Sequence, residues 1–128
     1  MAARRMPTVA LLAAATALAA VLRLALLDSR SLWFDETYTA TVVAAGGPGE
    51  LWDRVGATES TPPLFYALTW AWTAVAGDGE AALRTVSAVA LIAAVPVAYP
   101  TLRRFVGERA ALATAAILAV SPLLVHYA

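Results

Sequence analysis

Residues 62–77 read PPLFYALTWAWTAVAG, and whether this stretch crosses a membrane decides where every flanking segment lies. It opens with a Pro pair suited to a helix start. At ~1.5 Å per residue its 16 residues fall short of the ~30 Å hydrocarbon core. Phe65, Tyr66, Trp70 and Trp72 lie within it, residue types that favour the headgroup level. If the stretch crosses, Arg103, Arg104 and Arg109 fall on the side opposite Arg4 and Arg5. If it lies in the interface or re-enters, all five share one side, which is what the positive-inside rule expects. Length, aromatic content and charge agree on a helix that does not cross.

Working outward from it, residues 81–102 form a long apolar run with Arg84 near one end and Pro96 and Pro100 towards the other. That run is read as the second true span. Residues 103–109, RRFVGER, are the cytoplasmic turn, and residues 110–128 return as a third span with a kink expected at Pro122. On the other side, residues 28–80 hold eight of the nine acids: Asp28, Asp35, Glu36, Glu50, Asp53, Glu59, Asp78 and Glu80. This is a polar excursion. Gly46, Gly47, Pro48 and Gly49 break whatever precedes them. Asp35, Tyr38, Thr39 and Val42 recur at i, i+3, i+4 and i+7, so a short interfacial helix is expected over 35–45.

Before the excursion, residues 7–27 give an apolar run of 21 residues, enough at ~1.5 Å each to cross a bilayer. A cleaved signal peptide is the competing reading, since Arg4 and Arg5, the apolar residues 11–18 and Ala17-Leu18-Ala19 suit cleavage after Ala19. The apolar run continues past that point to Leu27, which favours a retained span. Arg23, near its far end, is expected to snorkel outward, with pairing inside a bundle as the alternative. The charge sum fits this topology. The inner side holds five arginines and Glu108, while the outer segment holds eight acids against Arg30, Arg54 and Arg84.

Composition bounds the class. Of 128 residues, 61% are apolar and 14% charged, against about a quarter charged in an ordinary soluble domain. The formal charge is zero, so nothing calls for a nucleic-acid partner. There is no cysteine, which excludes disulfides and thiolate metal sites and leaves the redox compartment open. The fold expected is an all-α polytopic membrane module, residues 1–128. It has three transmembrane helices, two interfacial helices (35–45 and 62–77) in the first outer loop, and a cytoplasmic amino terminus.

The order of features resembles the amino-terminal part of GT-C type glycosyltransferases, in particular the protein O-mannosyltransferase and aminoarabinose-transferase relatives of glycosyltransferase family 39. The stretches that carry it are SLWFDETYTA (31–40), TPPLFYALTWAW (61–72), AALRTVSAVALIAAVPVAY (81–99) and RRFVGERAALATAAILAVSPLLVHYA (103–128). The resemblance implies a multi-pass protein of the cell (plasma) membrane and a polyprenyl-phosphate-linked sugar donor. It also implies inverting transfer on the extracytoplasmic face, with an essential acid in the first outer loop. That acid matches Asp35, with Glu36 beside it. Inverting transfer to a hydroxyl needs a carboxylate within hydrogen-bond reach of the acceptor. Two adjacent carboxylates are also able to raise one another's pKa or hold a divalent cation.

Arg84 matches the family's Arg at the start of its helix, and a guanidinium fork suits the leaving lipid phosphate. Glu59 is the second substrate-binding candidate, one place before the Glu of aminoarabinose-transferase relatives. Thr61 stands where the protein O-mannosyltransferases have a His. Relatives continue through many more helices, so most of the donor site is expected from a remainder of the enzyme, and this stretch alone is expected to be inactive.

Plainer readings stand beside these. Asp35 opens a predicted helix and suits an N-cap, its carboxylate accepting from Thr37 or Tyr38 N–H. Glu36 suits the helix dipole, Trp33, Phe34, Trp70 and Trp72 suit interfacial anchoring, and the single His126 has no second ligand nearby. A different class of function is a non-catalytic membrane subunit that packs against a partner. A transporter component fits less well, because the charges gather in the outer loop and not along the spans.

Overall fold

The computed structural model describes residues 7–27, 34–57 and 63–126. Every regular element among them is a helix: α1 (Thr8–Leu24), α2 (Phe34–Val43), α3 (Pro48–Gly56), α4 (Pro63–Ala76), α5 (Glu80–Val106), α6 (Glu108–Val120) and α7 (Pro122–His126). The all-α expectation holds for these residues. Two stretches, Glu80–Val106 and Glu108–His126, are long and apolar enough to cross a membrane, and Thr8–Leu24 is a shorter apolar helix. The chain divides into two compact units, one of Met1–Leu26 with Ser87–Ala128 and one of Leu27–Val86.

In the first unit α1 and α6 pack through small side chains. Ala111, Ala115 and Ala119 recur every four residues on α6 and all are buried. Ala19 of α1 and Val95 of α5 join Ala115 and Ala119 in one core cluster, with Leu12, Ala15 and Leu118 against it. Small residues let helix backbones approach closely where no water drives them together. The outward faces carry Val9, Val21, Val97, Ile117 and Leu123, all exposed. Thr16, Thr101 and Thr114 return their hydroxyls to the carbonyls of Leu12, Val97 and Ala110 in their own helices, so these three hydroxyls are paired without leaving the helix.

Polar contacts at both ends give the pair its direction. Thr8 donates to Glu108 at the start of both helices, and Arg23 donates to Leu118 and Ala119 near the end of α6. The same number of residues separates Thr8 from Ala19 as separates Glu108 from Ala119. The two helices therefore run parallel. Arg23 does not snorkel. It is 1% exposed, its side chain folded back over the preceding turn in the way helical side chains lean, where Nη1 also reaches Ala19 O at 3.2 Å.

Two boundaries differ from the sequence reading. Residues 103–109, read as a turn, are helical apart from Gly107, whose φ of 81° is the left-handed conformation that glycine adopts without strain. Arg103 and Arg104 lie in the last turn of α5, where cations complement the helix dipole. The run from 110 is interrupted and not merely kinked. Ser121 takes ψ 117°, as expected of a residue before proline, and Pro122 then starts α7.

Among the described residues of the second unit, three helices lie between residues 28 and 79 where two were expected. Gly46 to Gly49 do break the chain, but Pro48 also begins α3, after an extended Gly47, because proline's fixed φ suits a first helical position. Leu51 and Val55, one turn apart, face inward with Val42, Val43 and Ala45 of the preceding segment, Tyr66 of α4 and Leu83 of α5. Trp70 Nε1 donates to Ala45 O at 3.0 Å. Glu50 locks the turn, accepting from the N–H of Gly46, the residue before the N-cap Gly47, at 2.9 Å and from Arg54 Nη2 at 2.5 Å.

The Gly46 N–H and the Arg54 guanidinium hold the Glu50 carboxyl below the ordinary glutamate range. Its contribution is present above the unfolded pKa, about 4.3, and is lost as the pH falls through the depressed folded value. Amide exchange at Gly46 is therefore expected to accelerate, relative to amides of α4, between pH 5 and about pH 3. An unchanged ratio across that window would remove Glu50 as the lock.

Candidate active site

The site is built from the first turn of α2 and the first turns of α5, within the second unit. Asp35 and Glu36 are both first-turn acids of α2, a placement favoured by the positive end of the helix dipole. Because α2 already begins at Phe34, Asp35 lies inside the helix and is not its N-cap. Its main-chain oxygen accepts from Thr39 Oγ1 at 3.1 Å. Its side chain is exposed, with Phe34 and Tyr38 exposed on the same helix.

Glu36 has a different fate. Arg84 Nε donates to Glu36 Oε1 and Arg84 Nη2 to Glu36 Oε2, both at 2.8 Å. This is the two-pronged geometry that matches a guanidinium to a carboxylate. Arg84 Nη1 donates to Leu27 O, also at 2.8 Å, and Glu80 lies one turn earlier at 4.0 Å. Arg84 is buried and Glu36 about one-third exposed at the side chain. The arginine thus ties the start of α5 to the start of α2 and to the chain leaving the first apolar segment.

Of the site residues read from the sequence, the fold brings Glu36 and Arg84 together and leaves Asp35 open beside them. Glu59, Trp33 and the remainder of 28–33 and 58–62 lie outside the described residues. Trp70 uses its indole N–H on Ala45 O, while Trp72 is exposed. Among the described residues no group of three or more His, Cys, Asp or Glu side chains gathers where a metal ion would sit. With Glu36 engaged by Arg84, the acidic pair does not present two open carboxylates to a cation. The Glu36–Arg84 pairing was not foreseen, because 48 residues separate the partners and only opposite sign connects them in the sequence.

The sequence profile of the family described as dolichyl-phosphate-mannose-protein mannosyltransferase matches residues 60–128, more than half of the chain. No curated protein and no solved structure matches it.

Replacing either partner of the ion pair is expected to have unequal effects. Glu36→Leu strands a buried guanidinium, and ~2 kcal/mol or more of stability should be lost. Arg84→Leu leaves a carboxylate that can turn to water, and the loss should be smaller. Thermal unfolding of both variants in one detergent checks the order, and a larger loss for Arg84→Leu would contradict it.

Proposed function

The chain belongs to the dolichyl-phosphate-mannose-protein mannosyltransferase family, and from that premise we propose that Asp35 is the acceptor-activating carboxylate of a GT-C type membrane glycosyltransferase. Its donor is a polyprenyl-phosphate-linked sugar, in keeping with the dolichyl-phosphate-mannose of the family description. The observation that carries the reading is the division between the two adjacent acids: Glu36 is held at both oxygens by Arg84, and Asp35 is left exposed. One carboxylate fixes the turn and the other remains open to a substrate.

In the step, Asp35 accepts the proton of the acceptor hydroxyl as that oxygen bonds to the anomeric carbon. The bond from the anomeric carbon to the phosphate oxygen breaks on the opposite face, and the lipid phosphate leaves with the electron pair. Configuration is inverted. A base acting in this way needs exposure and a fixed position, which the first turn of α2 and its Arg84 tie supply. Arg84 is accordingly a positioning residue in this arrangement, and Glu59 keeps the substrate-binding role implied by the resemblance.

Helix direction supports the proposed side of the membrane. Parallel helices that both cross must be joined by an odd number of returning crossings. α5 supplies one, so α4 lies in the interface; its 14 residues cover only ~21 Å at 1.5 Å each. Residues 28–80 then form one extracytoplasmic loop, and the arginines at 4, 5, 103, 104 and 109 share the cytoplasmic side with the amino terminus.

Asp35→Asn is expected to lower sugar transfer in membranes of the native host by at least ~100-fold, the low end of general-base contributions, while leaving insertion and thermal stability unchanged. Near-normal turnover with the asparagine in place would end the assignment.

A further inference from the structure

Arg23 is a charged side chain closed off inside an apolar helix pair, and the mechanism above has no use for it. Its guanidinium donates through Nη2 to Leu118 O at 2.9 Å, and through Nη1 to Ala119 O at 3.0 Å and Ala19 O at 3.2 Å. Nε is buried with no partner. Among the described residues no carboxylate forms an ion pair with Arg23.

The two carbonyls it reaches on α6 are not arbitrary. In an uninterrupted helix Leu118 O would accept from the N–H of residue 122, and Ala119 O from the N–H of residue 123. Residue 122 is proline and has no N–H. Ser121, at ψ 117°, ends the helical ladder before Leu123 can continue it, and the next turn restarts with Val125 N–H on Ser121 O at 2.9 Å. Carbonyls left without a donor inside an apolar layer are costly, because no water is there to replace the lost partner.

We propose that Arg23 is a built-in substitute donor that makes the α6–α7 break tolerable. Its two terminal nitrogens replace the hydrogen bonds that Pro122 and the extended Ser121 remove. The dependence runs both ways. The negative end of the α6 dipole and its two open carbonyls compensate a buried cation for which the described residues provide no acid. The interruption and the arginine are one device, and its effect is to let the chain change direction at Ser121 without exposing backbone to lipid.

A double-mutant cycle on the full chain in lipid nanodiscs tests this. Arg23→Leu is expected to lower Tm by about 5 °C or more. Pro122→Ala restores an N–H for Leu118 O, so in that background Arg23→Leu should lower Tm by less than half as much. Equal losses in the two backgrounds, or no loss in either, would overturn the proposal, since the arginine would then act through packing or not at all. If Arg23→Leu alone fails to fold, the Arg23→Leu/Pro122→Ala double variant should recover a folded, monodisperse protein. Its failure to do so would likewise overturn it.

Discussion

The parallel packing of α1 on α6 is the constraint from which the remaining arrangement follows. It is possible because alanines line much of the contact, Ala15 and Ala19 on α1 and Ala115 and Ala119 on α6, so that the backbones approach closely. Its direction is set at both ends, by Thr8 on Glu108 and by Arg23 on Leu118 and Ala119. In the topology proposed above, in which α1 and α6 both cross, helices that run the same way need an odd number of crossings between them, and α5 is the only intervening described helix long and apolar enough. In that proposed topology the segment between α1 and α5 lies on one face of the membrane.

Within that intervening unit, Arg84 does for polar groups what the alanines do for apolar ones. It joins Glu36, Leu27 O and the start of α5 around one buried guanidinium. The consequence for chemistry is a separation of roles between neighbours. Glu36 is bound and structural, and Asp35, one residue earlier, faces outward. An arginine read from sequence as a partner for lipid phosphate is instead engaged with protein acceptors on all three of its nitrogens. A phosphate would have to displace Glu36 to reach it.

How much of this was legible in the sequence depends on whether the cause was local. Long apolar runs, the Gly-Pro break at 46–49 and the interruption at Pro122 are written in consecutive residues, and each has its counterpart in the fold. α3 was missed because Pro48 was read only as a breaker, whereas proline equally begins a helix. The turn expected over 103–109 narrows to Gly107, because arginines suit the last turn of a helix as well as a loop. Non-local pairings left no signal. Arg23 meets acceptors that exist only because Pro122 lies about a hundred residues later, and Glu36 finds Arg84 across two intervening helices. Asp35 as a candidate came from the family resemblance, and nothing in its spacing alone separates it from an ordinary first-turn acid.

The most direct measurement is the sidedness of the segment around α4. The chain has no cysteine, so single cysteines placed by Asp53→Cys, Asp78→Cys and Phe105→Cys, all at exposed positions, can each be labelled with a membrane-impermeant maleimide in sealed vesicles of known orientation. Residues 53 and 78 should react from the same face, the extracytoplasmic one, and residue 105 from the other. Labelling of 53 and 78 from opposite faces would mean that α4 crosses, and would contradict both the single outer loop and the placement of Asp35 within it.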